Sequence, residues 1–208
     1  MDSTSNVRAV RHLLSTAAHQ LFAATLIFAL FSALSCGELP DGASDDGVSF
    51  ARDAYPSCYG KSEGELLENL TFVNTVGDPF SLNDIYEDPS NKVLLVTTSA
   101  GWCTACIEEQ PVLQELHETY GGDGLAVLVT LFEDRNFAVA TAELAKEWKE
   151  NFKLSFNVVA DPDFLFESYY DASLTPMTML VDLDTMEIIR ISTGFDRSSV
   201  EAIIKSRL

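Results

Sequence analysis

Val93-Leu94-Leu95-Val96, followed six residues later by Trp102-Cys103-Thr104-Ala105-Cys106, decides how this chain folds. The apolar run reads as a buried strand over Lys92–Thr98, and Cys103–Tyr120 carries a helical pattern. The first thiol then sits over a helix N-terminus, where unpaired backbone N–H groups and the macrodipole favour an anion. A thiolate is the nucleophile of disulfide exchange, and such a position lowers a cysteine pKa from about 8.5 to about 3.5–7.5. Cys103 is the attacking sulfur on this reading. Cys106, one turn further in, is shielded and placed to resolve a mixed disulfide.

A bare C-x-x-C also serves as half of a zinc site, which needs four ligands. The remaining candidates are Cys36, Cys58, His12, His19 and His117, and they supply no second pair at suitable spacing. The preceding strand and Trp102 favour redox chemistry, and no metal is expected.

The rest of the chain alternates in kind. Leu70–Val73 and the stretch around Pro79–Leu82 read as a short strand pair. Gly121-Gly122-Asp123-Gly124 stops the first long helix. Leu125–Leu131 is a continuous apolar strand, Ala138–Phe152 a helix, Phe156–Ala160 a strand and Phe164–Tyr170 a short helix. Pro176–Asp182 and Glu187–Ser192 form a hairpin about Asp184-Thr185, and Ser198–Arg207 closes as an amphipathic helix. Strands buried on both faces alternating with helices, then an antiparallel hairpin, make a mixed α/β sheet.

The N-terminus differs in character. Arg8 and Arg11 precede the uncharged run Leu21–Leu34, which ends at Ser35-Cys36. Basic, then apolar, then small residues is the layout of an export signal. Ala33-Leu34-Ser35-Cys36 is similar to a bacterial lipobox, with Cys36 lipidated; Ala33-x-Ser35 also suits ordinary cleavage, and an uncleaved anchor is the third reading. All three place the domain outside the cytoplasm. Residues 37–65 are rich in Gly, Asp, Ser and Pro and read as a flexible acidic tether. The net charge of −19 argues against nucleic-acid partners and against electrostatic attraction to an anionic bilayer.

Trp102-Cys103-x-x-Cys106-x-x-Glu109-x-Pro111, with Thr175-Pro176 before an apolar strand and Tyr170 six residues ahead of Pro176, resembles the thioredoxin superfamily. The closer likeness is to its exported TlpA/ResA-like thiol–disulfide oxidoreductases, relatives of the AhpC/TSA redoxins. The resemblance implies a thioredoxin fold over residues 66–208, behind a signal over 1–36 and the tether. That fold is a central mixed sheet flanked by helices, with an added N-terminal strand pair and an inserted element before the final β-β-α. It implies a cis Pro176 facing the sulfurs, where composition alone would read an ordinary trans proline opening an edge strand. The Thr175 backbone and Trp102 would then meet the substrate.

Glu109 follows Cys106 by three residues on the same helix face, so its carboxyl can relay a proton to the resolving thiol. The plain alternative is a solvated first-turn glutamate. Thioredoxin itself carries a buried Asp six residues before the first cysteine; Thr97 stands there in this chain, which leaves Glu109 as the nearby substitute.

The expected protein is a monomeric exchanger of disulfides with envelope proteins, without cofactor beyond its own cysteine pair. It works as a reductant fed by a membrane electron donor, as this family generally does. Two rivals fit less well. A peroxiredoxin pocket requires Pro at position 96 and Thr or Ser at position 100, where this chain has Val96 and Ala100. A Sco-like copper module uses C-x-x-x-C and a distant His, and only His117 is available. Cys58 is left as an odd thiol whose role the sequence does not choose.

Overall fold

The computed structural model describes Arg52 and residues 54–208. In chain order the elements are β1 (Thr71–Val73), β2 (Pro79–Ser81), α1 (Leu82–Tyr86), β3 (Val93–Ala100), α2 (Thr104–Tyr120), β4 (Leu125–Glu133), α3 (Ala142–Phe152), β5 (Asn157–Ala160), β6 (Met177–Asp182), β7 (Ile188–Thr193) and α4 (Arg197–Arg207). Short 3-10 turns lie at Gly121–Asp123, Leu165–Tyr169 and Ala172–Leu174. The seven strands form one sheet in the order β2-β1-β5-β4-β3-β6-β7.

All eight residues of β3 are buried. The strand runs parallel to β4, with Val93 opposite Leu125 and Thr98 opposite Thr130. It runs antiparallel to β6, with Leu95 opposite Leu180 and Thr97 opposite Thr178. Side chains alternate across the sheet, as strand geometry requires. Leu94 and Val96 join one core with Phe72, Phe166, Met177 and Met179. Val93 and Leu95 join the other, with Leu113 and Leu116 of α2, Trp148 of α3 and Ile204 of α4. The mixed sheet flanked by helices is the thioredoxin-type architecture expected from sequence.

Local chemistry sets the ends of the elements. The helix expected from Ala138 begins only at Ala142, with the Thr141 hydroxyl accepting from Leu144 N at 3.3 Å. Asp134 holds the preceding residues in a turn, its Oδ1 accepting from Asn136 N at 2.7 Å and Ala138 N at 2.9 Å. Such side-chain bonds compete with helix formation. Gly124, between α2 and β4, adopts φ 120°, and a Cβ there would lie 3.0 Å from the Ser90 carbonyl oxygen. That position therefore requires glycine.

The tether boundary at residue 65 needs correction. Arg52 donates to the carbonyls of Tyr86 at 2.7 Å, Asp88 at 3.0 Å and Asn91, and pairs with Asp184 at 3.1 Å. Tyr55 donates to Leu67 O at 3.1 Å and meets Tyr59 and Tyr86 edge-on. Gly64 N bonds Ile188 O, and Ile188 N bonds Glu65 O. Tyr55 is half-buried against Tyr86 while Tyr59 stays exposed, and Gly64 and Glu65 bond the backbone of the β6–β7 hairpin, a gain that Gly/Asp/Ser composition does not reveal. Cys58 is disulfide-bonded, and not to the redox pair, whose two sulfurs bond each other. The signal segment and Cys36 lie outside the described residues.

Replacement of Tyr55 by Ala is expected to cost about 2 kcal/mol, from its ring contacts and hydrogen bond. Chemical denaturation measures this; a tether residue would change stability by less than about 0.5 kcal/mol.

Candidate redox site

The C-terminal end of β3 delivers the chain into α2 through Gly101-Trp102-Cys103. Cys103 is the N-cap residue of α2, with extended backbone angles, and its Sγ accepts from Cys106 N at 3.1 Å. Cys103 and Cys106 are joined in a disulfide. Cys103 retains 5% exposure and Cys106 none, so only the first sulfur is approachable. Buried Ala100 and Phe132 line the sulfurs, with Phe164 packed against them. Once the bond opens, a Cys103 thiolate sits at the positive end of α2, whose first turn carries no acidic residue.

The Thr175–Pro176 bond is cis, and Cys103 Sγ lies 3.8 Å from the Thr175 carbonyl oxygen. Expected from resemblance alone, this juxtaposition leaves the Thr175 backbone beside the reactive sulfur. A chain of hydroxyls holds it there. Thr98 donates to Tyr170 Oη at 2.9 Å, Tyr170 donates to Thr175 Oγ1 at 2.8 Å, and Thr175 donates to Ala172 O at 2.9 Å. Thr98 Oγ1 also accepts from Met177 N, and the Thr98 carbonyl faces Cys106 Sγ at 3.8 Å. Sequence reading noted Tyr170 as a mark of kinship without a role and missed Thr98. The two-residue alternation of β3 puts Thr98 on the face of Leu94 and Val96, which was the available signal.

Glu109 is 4% exposed, and burial pushes its carboxyl up to about 8. The Thr97 hydroxyl acts in the opposite direction. Neither Glu109 oxygen nor Thr97 Oγ1 completes a hydrogen bond, so desolvation decides the outcome. The solvated alternative is thereby removed. Glu109 also lines a cleft of about 300 Å³ with Ala105, Val112 and Pro176, which joins it to the cis-proline side of the site. Its neighbour Gln110, fully buried, donates to Cys106 O at 2.7 Å.

Trp102 is 37% exposed, its indole N–H donating to Glu133 Oε2 at 2.8 Å. The site thus brings together Trp102, Cys103, Cys106, Glu109, Thr175 and Pro176. His117 is not part of it: eleven residues beyond Cys106 on α2, it lies about 16 Å along the helix axis. It packs instead against Phe156.

A helix-capping, half-shielded cysteine pair beside a cis-proline loop defines a thiol–disulfide exchange module of thioredoxin fold. The chain belongs to the AhpC/TSA family, whose model matches residues 64–191, and it is TlpA/ResA-like within the thioredoxin superfamily. It is 23% identical to the thiol-disulfide oxidoreductase ResA of Bacillus subtilis over 133 residues, 64% of this chain and 68% of that protein. Among solved structures, it is similar to a Chlorobium tepidum protein assigned as the thiol:disulfide interchange protein DsbE. That likeness has TM-score 0.59 at 18% identity, covering 71% of this chain and 99% of the other. The pneumococcal exposed lipoprotein thioredoxin of Streptococcus pneumoniae gives TM-score 0.53 at 18% identity, over 67% of this chain and 99% of the other.

The buried carboxyl has a pH signature. A folded pKa of about 8 against an ordinary 4.5 means that stability is lost as pH rises from about 4.5 to about 8. Asp161, also buried and pushed up to about 6, contributes with the same sign but only up to that pH. Between pH 6 and 8 the decline belongs to Glu109. In Glu109→Gln the urea midpoint of the oxidised protein is expected to stay flat over that interval; an undiminished slope would assign the decline to another group.

Proposed function

We propose that this protein is an exported thiol–disulfide oxidoreductase that reduces disulfides in envelope proteins. The observation that carries the reading is the placement of Cys103 Sγ at the N-cap of α2, beside the Thr175 carbonyl and above a fully buried Cys106. A membrane electron donor supplies two electrons and opens the Cys103–Cys106 bond, leaving Cys103 as a thiolate and Cys106 as the sulfur that takes up a proton. The Cys103 thiolate then attacks one sulfur of a partner disulfide. The partner's S–S bond breaks, its second sulfur leaves as a thiolate, and a mixed disulfide forms. Cys106 attacks Cys103 Sγ, re-forming the internal disulfide and releasing the partner's first sulfur.

Proton handling falls to Glu109. Protonated at neutral pH, it gives its proton to the Cys106 thiolate when the internal bond opens. Its carboxylate takes that proton back when Cys106 attacks. Thr175 offers its backbone to an extended segment of the partner, in the manner of strand addition. Trp102 covers the flank of Cys103.

The export reading rests on Arg8, Arg11, the Leu21–Leu34 run and Ser35-Cys36. No helix among the described residues is long and apolar enough to cross a membrane. Lipidation at Cys36 is the finer reading, and the similar Streptococcus pneumoniae protein is itself an exposed lipoprotein. Intact mass of the mature protein distinguishes a lipidated Cys36 from a signal that is simply cleaved.

Cys106→Ala, expressed in the native envelope, is expected to accumulate mixed disulfides on Cys103, which mass spectrometry identifies. Cys103→Ala is expected to trap none. Failure to trap any partner, together with no exchange by the purified wild-type protein, would sink the assignment. A predominantly oxidised partner pool that becomes reduced when the gene is deleted would reverse the direction.

A further inference from the structure

The strand order places β6 on one side of β3 and β4 on the other. The loop after β4, residues 134–141, therefore flanks the redox motif on the side opposite Thr175. Gly101 N donates to Glu133 O at 2.8 Å. A Cβ on Gly101 would lie 2.5 Å from Arg135 N and 2.7 Å from the Asp134 carbonyl carbon, so loop and motif meet backbone to backbone.

Within this loop the Asp134 turn forces Phe137 to φ 63°, a region that disfavours bulky side chains. Phe137 is nevertheless 67% exposed, and its ring stacks on Trp102 with centroids 5.5 Å apart. Val139 and Ile107 are exposed as well. Beside these lies a cleft of about 510 Å³ lined by Ile107, Leu144, Trp148 and Phe152 together with polar residues of the loop and of α3, Arg135 and Glu147 among them. Trp148 is 6% exposed and its indole N–H has no partner. A strained backbone that presents an aromatic ring to water has no stabilising purpose in the free protein.

We propose that the Trp102–Phe137 pair and the adjoining cleft dock a large apolar or aromatic side chain that neighbours the disulfide-bonded cysteine of the partner protein. The occupant is an extended polypeptide segment. It crosses the end of β3 from the Thr175 backbone, over Cys103, to the aromatic pair, which is continuous with the redox motif through Trp102. Aromatic anchors dominate such contacts. This inference rests on the oxidoreductase reading and adds the class of sequence the enzyme selects.

The test uses the reduced full-length protein and two disulfide-bonded peptides that differ only in Phe or Ala next to the cysteine. Wild type is expected to reduce the Phe peptide with a kcat/KM about tenfold higher or more, the discrimination typical of an apolar pocket. In Phe137→Ala that ratio is expected to fall toward one, and in Phe137→Leu to recover in large part. A wild-type ratio near one, or a ratio undiminished in Phe137→Ala, overturns the proposal. Exchange of wild type with a small aromatic disulfide is measured in parallel. Activity there with a peptide ratio near one defeats only the docking surface, whereas no exchange with any disulfide defeats the oxidoreductase reading as well.

Discussion

Everything at the redox centre hangs on β3 being hydrogen-bonded on both sides and buried on both faces. Parallel β4 fixes one edge and antiparallel β6 the other. The two apolar cores, built from alternate residues, prevent the strand from slipping by one position, since a slip would exchange every side chain between faces. The point where β3 ends is therefore fixed, and with it the first turn of α2. The cysteine pair inherits its position from packing rather than from any interaction of its own.

The neighbours of β3 then divide the work. From β6 comes the Thr175–Pro176 loop, held by the hydroxyl chain through Tyr170. From β4 comes the loop that rests on Gly101 and carries Phe137. From α2 itself comes Glu109, kept dry beside Thr97. Three elements converge on one sulfur pair, each along a route set by the strand order. This explains how a site with little polar chemistry of its own can combine an anion-stabilising helix end, a backbone edge and a buried acid.

Much of this was legible in sequence. The run Val93–Val96 and the W-C-x-x-C after it specify strand, turn and helix because periodicity and thiol chemistry agree there. Pro176 was placed by resemblance, since a cis bond has no compositional signal. Three features were less legible, for different physical reasons. The start of α3 shifted from Ala138 to Ala142 because Asp134 and Thr141 compete for backbone N–H groups, a contest that apolar spacing does not register. The ordered stretch 54–65 was hidden because its stabilisation comes from distant residues, Tyr86, Leu67 and Ile188, not from its own composition. Phe137 falls between the strand ending at Leu131 and the helix expected from Ala138, where periodicity carries no signal. Only the position of β4 beside β3 brings it to Trp102.

Thr98 has a role beyond geometry. Its carbonyl faces the sulfur of Cys106, while its hydroxyl is shared between Tyr170 and the amide of Met177, just past the cis-proline. A single residue thus touches the atom whose bonding changes during turnover and the loop that faces the partner. The shielded sulfur and the cis-proline loop therefore share one anchor in β3, with no relay across the domain.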